Sequence, residues 1–203
     1  VDLNDKNMEY IANVIAKLRT SVEGQEGINA FLDKSMLKIE KQKCLFTKNL
    51  LNHNNLLENR FEYQSVSKFT EDVVFNIFSE VIIGDSDMTF SAKNEFDRLI
   101  EMTQNESYKE DWKIVLQNDI PIGMVLPHKF LNDTNEGTLL YIGLMPEFRN
   151  KGFAQEIHNK GLQFLKEKGI ETYYGSTMKD NKPMLKVFEK NKCELEREQL
   201  FYK

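Results

Sequence analysis

The stretch GTLLYIGLMPEFRNKGFA, residues 137–154, decides which fold the sequence predicts. Its apolar part, Leu139 to Met145, lacks strict alternation and is typical of a strand that is buried on both faces. After it, apolar residues recur at helical spacing over residues 153–168, and Gly169 ends the pattern. Residues 172–176 predict a second strand, so this part of the chain predicts a β-α-β unit.

The residues before and after this unit predict further strands. Residues 112–126 contain two apolar segments around Asn118-Asp119, a turn-forming pair that suits a tight antiparallel hairpin. Residues 61–66 alternate as a strand, and Thr70 is placed to cap a following helix. The chain finishes on a strand-like segment, residues 195–202. We therefore predict an α/β (α+β) fold with a central mixed, mostly antiparallel sheet flanked by helices.

The N-terminal segment carries no chemical motif. Apolar residues recur at helical spacing over about the first 35 residues, whereas residues 36–51 fit either a helix or strands. The polar run His53-Asn54-Asn55 marks the expected boundary. We therefore expect a helical N-terminal extension over residues 1–57 and one domain over residues 58–203.

Composition restricts the classes of function. The 203 residues are 40% hydrophobic and 29% charged, which suits a globular domain, and no apolar run reaches the roughly 18 residues that cross a bilayer. A net charge of −5 argues against a broad nucleic-acid surface, which would need clustered basic side chains. Cys44 and Cys193 are too few for a disulfide framework, and no leader is seen. We expect a protein of the cytoplasm that binds neither membranes nor nucleic acids.

The most informative segment for chemistry is residues 146–154, between the central strand and the helix. The first N–H groups of a helix have no partner inside it, and the peptide dipoles place roughly half a positive charge there. Gly152 lets a phosphate oxygen approach the main chain, and Ala154 keeps a neighbouring position small. Arg149 and Lys151 add positive charge. The loop therefore predicts a pyrophosphate site, although it lacks the patterns of P-loops and dinucleotide-binding loops.

The pattern Arg149-x-x-Gly152-x-Ala154, after a strand that ends at Pro146, resembles the acetyl-CoA signature of the GNAT superfamily of N-acetyltransferases. Asn181 and Phe188 are spaced like the asparagine and the aromatic residue of that family's next helix. The resemblance covers about residues 58–203. The residues around the signature, Tyr141 to Pro146 and Asn181 to Met184, are similar to those of a bacterial subgroup of the family. The resemblance implies that the predicted sheet is that of an acetyltransferase (GNAT-like) fold.

The resemblance also implies a cosubstrate, acetyl-CoA, and no metal. The backbone of Ile142, Gly143 and Leu144 would pair with the pantetheine arm as if the arm were another strand. Asn181 would touch that arm near the thioester. The pyrophosphate would be held by main-chain amides of the signature loop, whose residues are Arg149, Asn150, Lys151, Gly152, Phe153 and Ala154.

In this family a neutral amine attacks the thioester directly, so the implied function is acetyl transfer to a primary amine of a small molecule or peptide. A lysine-like amine with a pKa of about 10.4 is almost fully protonated at pH 7, so a base or a water relay is needed. The sequence departs from the family at this point. Phe188 stands where relatives carry a tyrosine acid, and Thr138 and Ser176 stand where relatives often carry a basic glutamate.

Nearby residues can replace the missing acid and base. We expect Glu136 and Tyr141 to be the catalytic residues, with His128 as a further candidate. Each also has a structural interpretation, because loop carboxylates are usually only solvated and strand tyrosines are often packed aromatics. The alternative function is a catalytically weak or inactive acyl-CoA-binding sensor or scaffold. Its N-terminal segment would then contact a protein partner or a second copy in a homodimer.

Other residues are expected to be structural. We expect His128 and His158 at the surface, Phe188 in the core and Cys193 as a small buried residue. No cysteine or carboxylate stands at ligand spacing from a histidine, so no metal site is expected. The loops expected around the acceptor carry several carboxylates, which favours a small cationic amine or an amino terminus. These carboxylates are Asp97, Glu101, Glu106, Asp133 and Glu136.

Overall fold

The computed structural model of the chain describes residues 17, 21–22, 25–26, 39–54, 60–85, 91–104, 106–131 and 134–202. These belong to two compact units, residues 42–199 and, separately, residues 1–41 with 200–203. In the smaller unit, the N–H groups of Ser21 and Gln25 donate to carbonyl groups four residues earlier, at 2.9 and 2.8 Å. That is the hydrogen-bond pattern of an α-helix. The larger unit carries all the predicted site residues.

The described strands form one seven-stranded sheet. The strands are β1 (Ile39–Asn49), β2 (Glu62–Ser65), β3 (Lys113–Gln117), β4 (Ile120–Lys129), β5 (Glu136–Leu144), β6 (Thr172–Met178) and β7 (Glu194–Tyr202). Their order across the sheet is β2-β3-β4-β5-β6-β1-β7. β5 and β6 pair in parallel, whereas β2–β3, β3–β4, β4–β5 and β1–β6 are antiparallel. The predicted mixed, mostly antiparallel sheet is confirmed.

The turn between β3 and β4 shows how local sequence determines local structure. Asn118 and Asp119 have φ of 52° and 64°, the left-handed region that a type I′ turn needs at both central positions. Gln117 pairs with Ile120 directly across the turn. The predicted tight hairpin is therefore confirmed.

Helices cover both faces of the sheet. They are α1 (Glu71–Val81), α2 (Ala92–Thr103), α3 (Tyr108–Asp111), α4 (Phe153–Glu167) and α5 (Lys182–Lys190). α4 and α5 pack against one hydrophobic cluster, and α1 and α2 pack against another. The consecutive β3 residues Ile114 and Val115 lie in different clusters, so the clusters lie on opposite faces. None of the described helices has the length and hydropathy needed to cross a membrane.

β1 corrects the description of the N-terminal segment. Residues 36–51 fit either a helix or strands in the sequence, and the structure places a strand at Ile39–Asn49. It pairs antiparallel with β6 and lies between β6 and β7. Cys44 and Phe46 are buried while Leu45 between them is half-buried, which is the period of two of a strand. The predicted extension over residues 1–57 is therefore not helical throughout, whereas a domain boundary near residue 57 stays a prediction.

Candidate active site

β5 and β6 diverge, and their divergence opens a cleft in the sheet. They pair only at Glu136–Thr172, Gly137–Tyr173 and Thr138–Tyr174. β5 continues to Leu144 and β6 to Met178 without further pairing between these two described strands. The edge of β5 beyond Thr138 therefore offers backbone N–H and C=O groups to a ligand. Ile142, Gly143 and Leu144, which were predicted to bind the pantetheine arm, all lie on this edge.

A β-bulge explains why the strands diverge here. The register between β4 and β5 shifts between Val125 and Pro127. As a result, the consecutive residues Leu140 and Tyr141 both pack against the cluster under α1 and α2, whereas Ile142 packs against the other cluster. A bulge bends the strands at the point where it lies, so β5 turns away from β6 just after Thr138.

The loop between β5 and α4 lies beyond the open end of β5. Asn150 and Gly152 have φ of 60° and 80°, and α4 begins at Phe153. No side chain caps α4 at this end, so its first N–H groups have no partner inside the helix or from a cap. A Cβ at Gly152 would have no atom within 4 Å, so the space beside it is open. The positive end of the helix dipole makes this space suitable for an anion.

The Arg149 side chain is directed away from this loop, towards α1. Its Nε donates to the Leu144 carbonyl at 2.9 Å, while Nη1 and Nη2 donate to the carbonyls of Ile83 and Val81 at 2.6 and 3.0 Å. Its main-chain N–H donates to the Pro146 carbonyl at 3.2 Å. Its charge was expected to face a phosphate, but the guanidinium binds the carbonyl groups at the end of β5, at the end of α1 and just after α1. Arg149 therefore shapes the loop through protein contacts.

The two predicted catalytic residues lie apart. The Tyr141 hydroxyl is 2.9 Å from Asp85 Oδ2 and 3.2 Å from the Val81 carbonyl oxygen, on the α1 side. The Glu136 carboxylate accepts hydrogen bonds from Thr134 Oγ1 at 2.8 Å and from the Tyr174 hydroxyl at 3.3 Å. Their separation along β5 corresponds to on the order of 15 Å. They would act at different positions rather than as a hydrogen-bonded pair.

The closed end of the cleft is where the pairing of β5 and β6 stops, at Thr138 and Tyr174. There, the sheet face opposite α4 and α5 is partly exposed to solvent. Gly137 and Tyr173 are buried, whereas Thr138 and Tyr174, the next residues along, are half-buried. His128 lies directly across from Thr138 in β4 and is also half-buried. Burial lowers the pKa of His128, so its neutral form is favoured. A ligand on this face would meet a row of polar side chains from three strands.

Two aromatic residues of this face were not among the residues predicted for the site. The rings of Phe130 and Tyr174 lie nearly parallel, at 24°, with their centroids 6.2 Å apart. Burial raises the pKa of Tyr174, and the negative charge of Glu136 and its hydrogen bond raise that pKa further. A signal for Tyr174 was present, because the period of two puts it on the same face as Ser176. Phe130 had no signal without the register of β4 and β5.

Phe188 and Asn181 match the aromatic residue and the asparagine that the family resemblance places on the helix after β6. Phe188 is 1% exposed and its ring stacks on Phe46 at 4.3 Å, so its predicted place in the core is confirmed. Asn181 precedes α5, and its Oδ1 accepts a hydrogen bond from the Met184 N–H at 3.2 Å. This cap fixes the Asn181 side chain at the carboxyl end of β6, beside the cleft.

The expected surface position of His158 is wrong. It is 0% exposed, because its position on α4 faces the sheet and α5, and its ring nitrogens contact Tyr173 and Asn191. Cys193 is buried as predicted, and burial raises its pKa to about 12, so it is no nucleophile at neutral pH. Within the described ranges, no group of three or more histidine, cysteine or acidic residues is arranged to hold a metal ion.

Comparisons with known proteins agree with this geometry. A family model described as Acetyltransferase (GNAT) domain matches residues 71–194. No curated protein matches the chain significantly. Among solved structures, a GCN5-related N-acetyltransferase from Sphaerobacter thermophilus has a TM-score of 0.65 and 13% identity, over 90% of this chain and 56% of that one.

Two further solved structures are similar. A tandem GNAT protein from the clavulanic acid biosynthesis pathway has a TM-score of 0.59 and 13% identity, over 87% of this chain and 57% of that one. An acetyltransferase from the GNAT family of Colwellia psychrerythraea also has 0.59 and 13%, over 82% of this chain and 57% of that one. This chain thus spans little more than half the length of these proteins. At 13% identity, the similarity shows a shared fold alone.

The family model covers more than half of the chain. Its match begins at α1 and includes β5, the signature loop, α4, β6 and α5, which together form the cleft and its surroundings. The chain therefore belongs to the GNAT family of acetyltransferases.

Proposed function

We propose that this chain transfers the acetyl group of acetyl-CoA directly to a primary amine of a small molecule or peptide. The observation that carries the proposal is the open edge of β5 beyond Thr138, which leads to the uncapped N-terminus of α4. One extended ligand with an anionic end fits both features. Ile142, Gly143 and Leu144 would pair with the pantetheine arm, and Asn181 would touch it near the thioester.

The pyrophosphate would lie at the loop before α4. Main-chain N–H groups of Asn150, Lys151, Gly152, Phe153 and Ala154 would bind it, with the helix dipole adding to the attraction. Arg149 supports this site by holding the loop in place, since its guanidinium binds three carbonyl groups. The site is thus built mostly from backbone, which explains why a short motif is enough to encode it.

The transfer requires one proton to be removed and one to be supplied. The amine nitrogen attacks the thioester carbon, the new N–C bond forms, the C–S bond breaks, and the amine proton leaves. We assign the role of base to Glu136, acting directly or through water, because its carboxylate lies on the open face two residues from the closed end of the cleft. Tyr141 is assigned to return a proton to the departing thiolate, and because its hydroxyl lies on the α1 side, bonded to Val81 and Asp85, it would do so only through a chain of water molecules.

The test is a paired measurement of binding and turnover. We expect calorimetry to show binding of acetyl-CoA, and free thiol to be released when a panel of polyamines, amino acids, aminoglycosides and peptides is added. Glu136→Gln should lower turnover much more than it weakens acetyl-CoA binding. No binding at millimolar acetyl-CoA would overturn the cofactor proposal, and unchanged turnover in Glu136→Gln would remove Glu136 from the mechanism.

A second candidate function is an acyl-CoA-binding sensor or scaffold without turnover. It is favoured by Phe188, which is buried in the core where the family resemblance calls for a tyrosine acid, and by Thr138 and Ser176, whose hydroxyls are not bases. Binding of acetyl-CoA without release of thiol for any amine would select it. In that case the N-terminal residues would serve a protein partner or a homodimer.

We place the activity in the cytoplasm. Cys44 and Cys193 are both free and buried, which fits a reducing compartment.

A further inference from the structure

The closed end of the cleft is where the acetyl group would be delivered, if the proposed function holds. The pantetheine arm would run from the loop before α4 along the edge of β5 towards Thr138 and Tyr174, the last paired residues of the two strands. An acceptor must then approach the thioester from the open face at this point. The side chains around Thr138 and Tyr174 on that face determine what can bind there.

Three side chains from neighbouring strands lie on the same open face, and Tyr174 contacts the other two. The Phe130 N–H donates to the Glu136 carbonyl at 3.0 Å, so these two residues stand directly opposite each other on neighbouring strands. The Tyr174 ring lies beside Phe130, and its hydroxyl donates to Glu136 Oε1 at 3.3 Å. Glu136, Phe130 and Tyr174 therefore form one aromatic and acidic surface, which we call the aromatic–carboxylate patch.

The patch carries negative charge without a basic partner from the rest of the described chain. Among the ion pairs of the described residues, none involves Glu136. Its two oxygens accept hydrogen bonds from neutral hydroxyls, which fix the carboxylate and leave further lone pairs for a ligand. Glu196 adds a second negative charge near Tyr174. Aromatic rings next to a carboxylate attract organic cations, because the ring faces are also negative.

We propose that the aromatic–carboxylate patch is the acceptor-binding subsite and that it takes the ammonium group of an alkyl amine. The aromatic rings contact the carbon chain and the charged group, while Glu136 forms the ion pair and can then accept the proton. Acceptors whose amine is neutral at pH 7, such as aryl amines, lack the charge that the patch binds. The patch thus selects a protonated alkyl amine as the substrate class.

The experiment measures binding of a cation and its neutral isostere, so that it does not depend on knowing the natural acceptor. n-Butylammonium and n-butanol are titrated into the full chain, with and without CoA, and followed by saturation-transfer NMR. We expect n-butylammonium to bind and n-butanol to bind much more weakly. Phe130→Leu and Tyr174→Leu should each weaken n-butylammonium binding about 2- to 5-fold, and Glu136→Gln should weaken it as well.

Controls separate the patch from general effects. Phe164→Leu removes a half-buried ring from α4, on the opposite face of the sheet, and should leave n-butylammonium binding unchanged. Tyr174→Phe, which keeps the ring, should lose less affinity than Tyr174→Leu. Equal binding of the alcohol and the cation, or wild-type affinity in both leucine variants, would overturn the proposal. Failure of CoA to bind in the same titrations would instead contradict the proposed function. The patch would still be tested in that case, because the amine is also titrated without CoA.

Discussion

Gly152 and Gly169 stand at the two ends of α4 with nearly the same φ, 80° and 77°, and open space at both Cβ positions. A side chain at either position costs roughly 1–2 kcal/mol of backbone strain. Only Gly152 stands where a phosphate is proposed to approach the main chain. We expect Gly152→Leu to abolish acetyl-CoA binding in calorimetry and Gly169→Leu to leave the affinity unchanged.

Urea unfolding of both variants provides the control for this comparison. The two should lose similar amounts of stability, because both positions have a φ in the left-handed region. Equal acetyl-CoA affinity in the two folded variants would show that the ligand does not approach the loop before α4.

Arg149 joins the end of α1 to the end of β5 through three hydrogen bonds from one guanidinium. Arg149→Gln leaves these carbonyls without their charged donor, and we expect the free energy of unfolding to fall by about 1–3 kcal/mol. Arg149→Lys should recover only part of it, because an ammonium group lacks the planar fork of donors. Acetyl-CoA binding should weaken without being abolished, since the main chain of the loop is retained.

Urea unfolding measures the stability change, and Lys151→Gln is the matched control. The Lys151 Nζ lies over the Phe148 ring at 5.1 Å, so its loss should change the stability by no more than about 0.5 kcal/mol. A variant Arg149→Gln as stable as the wild type would contradict the joining role.

The different outcomes for these residues have a physical reason. The glycine of the loop was predictable because its backbone conformation and its place at a helix entrance depend on neighbouring residues. The target of Arg149 was not, because Val81 and Ile83 lie more than sixty residues away in the chain. Phe130 and Tyr174 are neighbours only through the register of three strands, which a single sequence does not specify.

At the scale of elements, α4, β6 and α5 meet around His158. The Asn191 Nδ2 atom, which can only donate, lies 2.8 Å from His158 Nδ1 and 2.9 Å from the Gln155 carbonyl oxygen. Nδ1 is therefore the acceptor, and Nε2–H donates to the Tyr173 hydroxyl at 3.2 Å. Full burial lowers the pKa of His158 to about 3. The fold thus requires the neutral imidazole.

This requirement makes stability depend on pH in a defined direction. The unfolded chain protonates this residue below its ordinary pKa of 6.5, whereas the folded chain resists protonation down to a pKa of about 3. The stabilisation is complete above pH 6.5 and is lost progressively as the pH falls from 6.5 towards 3. We expect His158 alone to lower the free energy of unfolding by on the order of 2 kcal/mol between pH 7.5 and pH 5.

Urea unfolding at both pH values checks this expectation, with histidine variants to assign the effect. His158→Gln should remove much of the pH dependence even though it lowers stability at pH 7.5. His128→Gln, at a half-buried position, should retain most of it. Equal pH dependence in the wild type and in His158→Gln would show that other groups are responsible.

Elements differed in how well the sequence predicted them. The hairpin and α4 carry their signals locally, in a turn-forming pair and in helical spacing, and both are confirmed. β1 has only a short alternation around Cys44 and Phe46 among charged residues, and its place between β6 and β7 depends on partners more than a hundred residues away. The sequence pattern could not decide between a helix and a strand for these residues, because both fit the local spacing of apolar residues.

At the scale of the whole molecule, the position of β1 changes what a truncation should do. β1 supplies Cys44 and Phe46 to the core cluster under α4 and α5, and the chain just after it supplies Leu50. Its pairing with β6 also covers one side of the strand that borders the cleft. Losing it would expose both the Phe188 ring, which stacks on Phe46, and the edge of β6.

We therefore expect two truncations to behave differently. Removing residues 1–56 deletes β1 and should prevent stable folding, seen as loss of a cooperative transition in circular dichroism. Removing residues 1–38 keeps the whole compact unit of residues 42–199, so the protein should fold and still be stabilised by acetyl-CoA. At about 100 times its dissociation constant the ligand should add roughly 2.7 kcal/mol. If the 1–56 deletion folds and binds acetyl-CoA as the full chain does, β1 is dispensable for the sheet. A change of oligomeric state in the folded 1–38 deletion would identify those residues as a contact with another chain.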